Sequence, residues 1–370
     1  MSDEVRFDRG PDGRPCRFRD PHEVIRADAP EDLAAAFAAI TRAQDEGRWL
    51  AGFASYELGY CLSERLAPLL PENRDLPLLA FGVYDAPEDV PPPISENAPQ
   101  IELGEPLWPE ARYAEAFRAV HDYIGAGDCY QVNLTFPIPV TSDAAPEALY
   151  AALSSAGQVP HGADVELAGV RLLSRSPELF FRVEGGKIVT RPMKGTRPRG
   201  ATPDEDAALK SDLMGAEKDR AENLMIVDLL RNDISRICTP GSVKVPRLFE
   251  VETYRSVHQM ISEIEGELVP GTGLPEILRA MFPCGSVTGA PKIRAMEIIH
   301  ELEPDPRGIY CGAIGWAAPD GRMEFNVAIR TLMQTGPGQW RVNVGGGLVY
   351  DSTAHGEYEE ALWKTRFLKI

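Results

Sequence analysis

The α+β class, with antiparallel strands, is what this sequence predicts, and three patterns carry the prediction. Apolar residues recur at helical spacing over residues 31–46, 113–124, 203–236 and 354–368. Residues 321–335 instead alternate, with Met323, Phe325, Val327 and Ile329 to one side and Glu324, Asn326, Ala328 and Arg330 to the other. Gly185-Gly186 lies between two apolar runs, 179–183 and 187–191, a pairing that marks a β-hairpin.

In chain order, Leu33, Phe37 and Ile40 form one face of the first helix, and the aromatic, Gly-rich run 49–60 reads as strand followed by a turn with buried tyrosines. Seven prolines between 86 and 109 make the best linker candidate, which divides the chain into an N-terminal region, 1–109, and a larger region, 110–370. After the helix 113–124 comes a strand, 129–140, whose alternate residues Gln131, Asn133 and Thr135 are polar. If Gly185-Gly186 is a two-residue turn, Val183 pairs with Ile188 and Lys194 falls one step past the partner of Glu178, on the other face. A three-residue loop puts Glu178 and Lys194 on one face. Both registers bring the two residues to the open end of the hairpin.

One long helix is expected over 203–236, a strand over 254–267 and a short helix over 275–281. Residues 282–292 look like a phosphate-binding loop but fail its spacing, because Ala290-Pro291 separates the last glycine from Lys292. Pro291 suits a helix start, whose free amides suit a carboxylate or simply cap a packed helix. Gly345-Gly346-Gly347 within a strand implies either close backbone approach or a bulge.

The formal charge of −18 argues against nucleic acid and anionic membranes as partners. Six cysteines without a CxxC pair fit a reduced compartment, and with no apolar leader or membrane-length run the expectation is a cytoplasmic protein. Against this acidic background, Lys187 to Arg199 carries five basic residues and no acidic one. That stretch is either a solvated basic loop or an anion site around Lys194. Glu178 and Lys194 are an acid/base and nucleophile candidate, or an ordinary cross-strand ion pair, with Arg191 and Arg197 near enough in sequence to lower the lysine's pKa. Asp219 with Glu222, and Glu357 with Glu360, are i, i+3 pairs on two helices. Facing each other they would make an all-oxygen site suited to Mg²⁺; apart, they are surface charge.

Several stretches occur together in an order that resembles the chorismate-utilising enzymes, most closely their aminodeoxychorismate synthase component I branch. These include Tyr130-Gln-Val-Asn-Leu134, Ser176-Pro-Glu-Leu-Phe180, Pro192-Met-Lys-Gly-Thr-Arg-Pro-Arg199, Lys218-Asp-Arg-Ala-Glu222 onward to Asp233, and Val257-His258. Further matches are Gly285-Ser-Val-Thr-Gly-Ala-Pro-Lys292, Arg307-Gly-Ile-Tyr-Cys-Gly312, Ala328-Ile-Arg-Thr331 and Gly345-Gly-Gly347. The likeness is weak before residue 110. It implies a four-layer α/β/β/α fold with large, mostly antiparallel sheets, like that of anthranilate synthase component I.

The resemblance further implies chorismate and ammonia as reactants and 4-amino-4-deoxychorismate as product, formed through Lys194 as nucleophile and Glu178 as acid/base. It implies Mg²⁺ on Glu222 and Glu360, with Glu357 and Asp219 in or near its shell. Gly195, Thr196, His258, Tyr310, Arg330, Gly345, Gly346, Gly347 and Lys364 would bind the substrate. A glutamine amidotransferase subunit, forming a heterodimer, would supply ammonia. Anthranilate synthases of this family resemble a pattern with alanine where Lys194 stands, and isochorismate synthases have a lysine base where this chain has Gln131. Anthranilate synthase component I and a non-catalytic chorismate-binding subunit are the alternatives.

Overall fold

A computed structural model describes residues 3–95, 98–254 and 257–370. Among these residues the strands form two ten-stranded sheets in which every pairing is antiparallel. Successive side chains of a strand point to opposite faces, and here each set goes to a different core. Phe53, Ile314 and Trp316 from one sheet meet Val5, Val165 and Leu172 from the other in a core between the sheets. Their neighbours Leu50, Ala54, Ala313 and Ala317 face the second core, shared with the helices. Helices Glu110–Gly125, Lys292–Leu302 and Ala354–Trp363 cover the outside of one sheet, and Leu33–Asp45 and Glu217–Ser235 cover the other. This is the α+β, four-layer arrangement that the family likeness implied.

The described residues before 109 do not form a sheet of their own. Strand Glu4–Phe7 pairs with His161–Leu167, and Trp49–Ala54 pairs with Ala313–Ala317. The proline-rich segment adds two short strands to one sheet, Glu88–Asp89 beside Cys16–Phe18 at one end and Glu102–Leu103 beside Gln131–Thr141 toward the other; residues 96–97 of that segment lie outside the described residues. Gly185 and Gly186, at φ 58° and 76°, form a two-residue turn in which Val183 pairs with Ile188.

Three sequence expectations are corrected. The alternating run 321–335 is two strands in different sheets, Met323–Val327 and Thr331–Gly336, with Arg330 at the corner between them at φ 51°. Alternation survives such a corner, so periodicity alone cannot reveal it. The helix expected over 203–236 is two helices, Pro203–Gly215 and Glu217–Ser235, separated by Ala216 in extended conformation. The strand expected over 254–267 runs Val257–Glu267, with 255–256 outside the described residues, and pairs with a strand Lys244–Thr253 that the sequence did not disclose.

Candidate active site

The corner at Arg330 has a twin. Strand Val170–Ser176 belongs to the first sheet and Leu179–Glu184 to the second, so the chain crosses between sheets at Pro177-Glu178. The two crossings run side by side: Arg175 N donates to Arg330 O at 2.9 Å, and Val327 N donates to Glu178 O at 3.0 Å. Backbone bonding thus fixes both corners, and both side chains line a cavity of about 800 Å³. Lys194, Gly195, Thr196, Asp219, Glu222, Tyr310, Gly345, Gly346, Gly347, Glu357, Glu360 and Lys364 line the same cavity.

Lys194 reaches it through an irregularity. Met193 pairs with Ile261 but Thr196 with Gln259, three steps on one strand against two on the other. The extra residue is a β-bulge that re-aims the side chains around it, and Gly195 takes φ 84° there. With the two-residue hairpin turn, regular pairing would have sent Lys194 to the other face. Its ammonium instead contacts Glu222 Oε1 at 2.8 Å. Burial opposes the charge on Lys194, yet Glu222, Glu178 and Glu360 together outweigh it and raise its pKa. Arg191 and Arg197 do not perform the role expected of them. Arg191 pairs with Glu252 and Glu263, and Arg197 with Asp212 and Asp219.

Glu178 is buried and accepts a hydrogen bond from Ser286 Oγ at 2.7 Å. Burial pushes its pKa up to about 7, with Ser286 and Lys194 acting in the opposite direction. A carboxyl poised there can give and take a proton near neutrality. Arg330 is the reverse case. Burial depresses its pKa, Glu178 is the charge that offsets this, and among the described residues its guanidinium makes no ion pair or side-chain hydrogen bond. A largely buried guanidinium without an acid partner is ready for an anionic ligand, and its two-pronged geometry suits a carboxylate. Lys364 Nζ donates to Gly345 O at 2.7 Å and pairs with Glu360 at 3.0 Å. Tyr310 is buried, which holds its phenol neutral.

The glycine run 345–347 lies in a regular strand without a bulge. A side chain at Gly346 would meet Glu357 Oε2, and one at Gly347 would overlap the Gln131 amide and approach the Lys194 ammonium. The wall behind is stiffened by Arg307, whose guanidinium donates to Asn133 O at 2.5 Å, Val287 O at 3.2 Å and Glu303 at 2.7 Å. Glu57, from the N-terminal region, accepts from Arg307 N at 2.8 Å and from Gly308 N, just before Tyr310.

One predicted binder lies elsewhere. His258 is buried on the opposite face of its strand, where its ring nitrogens meet Asp206 at 2.8 Å and Thr253 at 3.0 Å. The strand neighbour Gln259 lines the cavity, and strand alternation is the reason. Sequence reading also missed Ser286, although it sits inside the stretch that looked like a phosphate loop. Lys292 of that stretch pairs with Asp233 at 2.6 Å, away from the cavity.

The four acidic residues bring only oxygen donors to the cavity, a set that suits a hard divalent cation and no soft metal. Among the described residues no three His, Cys, Asp or Glu side chains converge on one point. Such convergence is not needed for a cation that takes one or two carboxylates and completes its shell with water and ligand oxygens. Glu222 and Glu360 are each engaged by a lysine that lines the cavity, Lys194 and Lys364.

A family profile described as chorismate binding enzyme matches residues 4–369. The chain is a member of that family. The match extends through the N-terminal region, where the short motifs are weak. Aminodeoxychorismate synthase component 1 of Salmonella typhimurium is 46% identical over 252 residues, covering 68% of this chain and 55% of that protein. A protein of Haloarcula marismortui named anthranilate synthase component 1 3 is 42% identical over 259 residues, covering 70% and 51%. The chain thus spans little more than half the length of these curated relatives. The crystal structure of anthranilate synthase component I from Streptococcus pneumoniae superposes with a TM-score of 0.81 at 25% identity, covering 95% of this chain and 91% of that one. Among the described residues no helix is long and apolar enough to cross a membrane.

Proposed function

We propose that this chain converts chorismate and ammonia to 4-amino-4-deoxychorismate, the step that leads toward para-aminobenzoate and folate. The observation that carries the reading is Lys194, whose ammonium lies in the cavity beside Glu222 and within the field of Glu178. The similarity to enzymes named aminodeoxychorismate synthase component 1 supports it.

Arg330 and Lys364 would bind the ring and enolpyruvyl carboxylates, with Tyr310 and the glycine strand shaping the slot. Lys194 gives up its pairing with Glu222, releases a proton to water and attacks ring carbon C2 as the free amine. The two ring double bonds each shift one place and the C4–O bond breaks. Glu178, protonated at this stage, gives its proton to the departing hydroxyl, which leaves as water. Ammonia then forms a bond to C4, the double bonds shift back, the C2–N bond to Lys194 breaks, and Glu178 takes up the proton that ammonia releases. The enolpyruvyl group is untouched throughout. Glu222 and Glu360 would hold Mg²⁺, with Glu357 and Asp219 beside it. When bound, the ion would offset the charge of a dianionic substrate in an acidic protein. A glutamine amidotransferase partner would supply the ammonia, in keeping with the component 1 naming of the relatives.

The reading is tested by incubating protein with chorismate, ammonium and Mg²⁺ and trapping the reaction for mass spectrometry. An adduct on Lys194 that disappears in Lys194→Ala is expected. An adduct that survives the substitution unchanged removes Lys194 as the nucleophile.

A further inference from the structure

We infer that Gln259 is a positioning residue that sets the aim of Lys194 by holding the Gly195 peptide. The inference rests on the reading of Lys194 as nucleophile. A β-bulge leaves a main-chain group without its ladder partner, and here the bulge falls between Met193 and Thr196, around Lys194-Gly195. Gln259 Nε2 donates to Gly195 O at 2.8 Å. The Thr196 hydroxyl donates to Gln259 Oε1, also at 2.8 Å. The direction of the amide follows from chemistry: a carbonyl only accepts, so the nitrogen faces Gly195 and the oxygen faces Thr196.

On its other side Gly195 lies close against a helix. A Cβ on Gly195 would lie 3.0 Å from Asp219, on the helix that also carries Glu222. Gly195 has no side chain to resist rotation, and its φ of 84° is one that other residues rarely take. Without the Gln259 amide, the Gly195 carbonyl loses its side-chain donor, and the Lys194 side chain one residue earlier loses its fixed direction. Both ends of Gln259 are therefore spent on the segment that presents the lysine, and the residue is part of the cavity wall rather than the opposite face where His258 packs.

The test uses Gln259→Leu, which loses both bonds, and Gln259→Glu, which keeps an acceptor for Thr196 but sets oxygen against the Gly195 carbonyl. Both are expected to lower kcat by about 10- to 100-fold, the scale of a small misplacement of a reacting group, with KM for chorismate within about twofold. Labelling of Lys194 by an amine-acylating reagent without chorismate, read by peptide mass mapping, is expected to change in both variants relative to wild type. Should Gln259→Leu fail to fold, Gln259→Glu carries the test alone. Wild-type kcat and wild-type Lys194 labelling in a folded variant would overturn the inference, as would a loss confined to KM. A wild-type protein that forms no aminodeoxychorismate, while its variants still differ in Lys194 labelling, would defeat the functional reading and leave the positioning role standing.

Discussion

Lys194 and Arg330 face one cavity and are held in opposite ways. Lys194 stands on a bulged strand and is neutralised by Glu222, which keeps its proton on. Arg330 stands at a corner between sheets, largely buried and without an acid partner, so that burial works against its charge. A paired cation is at rest and must be released to react. An unpaired, desolvated one is strained and is relieved when an anion arrives. On the proposed reading, the comparison separates a residue that does chemistry from one that receives charge, and the two substitutions are expected to behave differently.

The largest effect belongs to Lys194→Ala. Turnover is expected to fall by at least about 10³-fold, while calorimetry shows chorismate binding nearly retained. Glu178→Gln comes next, with kcat reduced by about 10²–10⁴-fold and the Lys194 site still able to bind. Arg330→Met reverses the pattern. Chorismate affinity is expected to drop roughly 10- to 100-fold, the worth of hydrogen bonds to a charged group. Thermal unfolding of the unliganded variant should show a gain of roughly 1 kcal/mol, because a strained cation has been removed. Equal losses of binding in Lys194→Ala and Arg330→Met would erase the distinction.

A further expectation concerns pH dependence. The Glu178 pKa is raised from 4.5 to about 7 in the fold. Its protonated form stabilises the fold fully below pH 4.5; that contribution declines as pH rises and is lost above about 7. Glu178→Gln should therefore gain stability relative to wild type between pH 5 and pH 8, by up to about 3 kcal/mol, in denaturant melts. Because the first step needs the acid protonated, kcat/KM for chorismate at constant free ammonia should decline above about pH 7.

The sequence disclosed much of this arrangement, unevenly. The Gly185-Gly186 turn is local chemistry, and both positive φ values follow from it. The helical carboxylate pairs are set by a period of 3.6 and were found without a fold. What could not be read is what depends on long-range pairing. The run 321–335 read as one alternating strand although the chain changes sheet at Arg330. Nothing local announces the bulge at Gly195, which decides where Lys194 points. One step of strand register separates His258, packed against Asp206, from Gln259 in the cavity wall. Ser286 was visible only as part of a glycine-rich run, and its bond to Glu178 joins residues 108 positions apart.

The central claim is tested most directly by the product. Purified protein is given chorismate, ammonium and Mg²⁺, and the products are identified by mass. The account predicts 4-amino-4-deoxychorismate with its enolpyruvyl group intact. Anthranilate with pyruvate, or chorismate bound and returned unchanged, would contradict it.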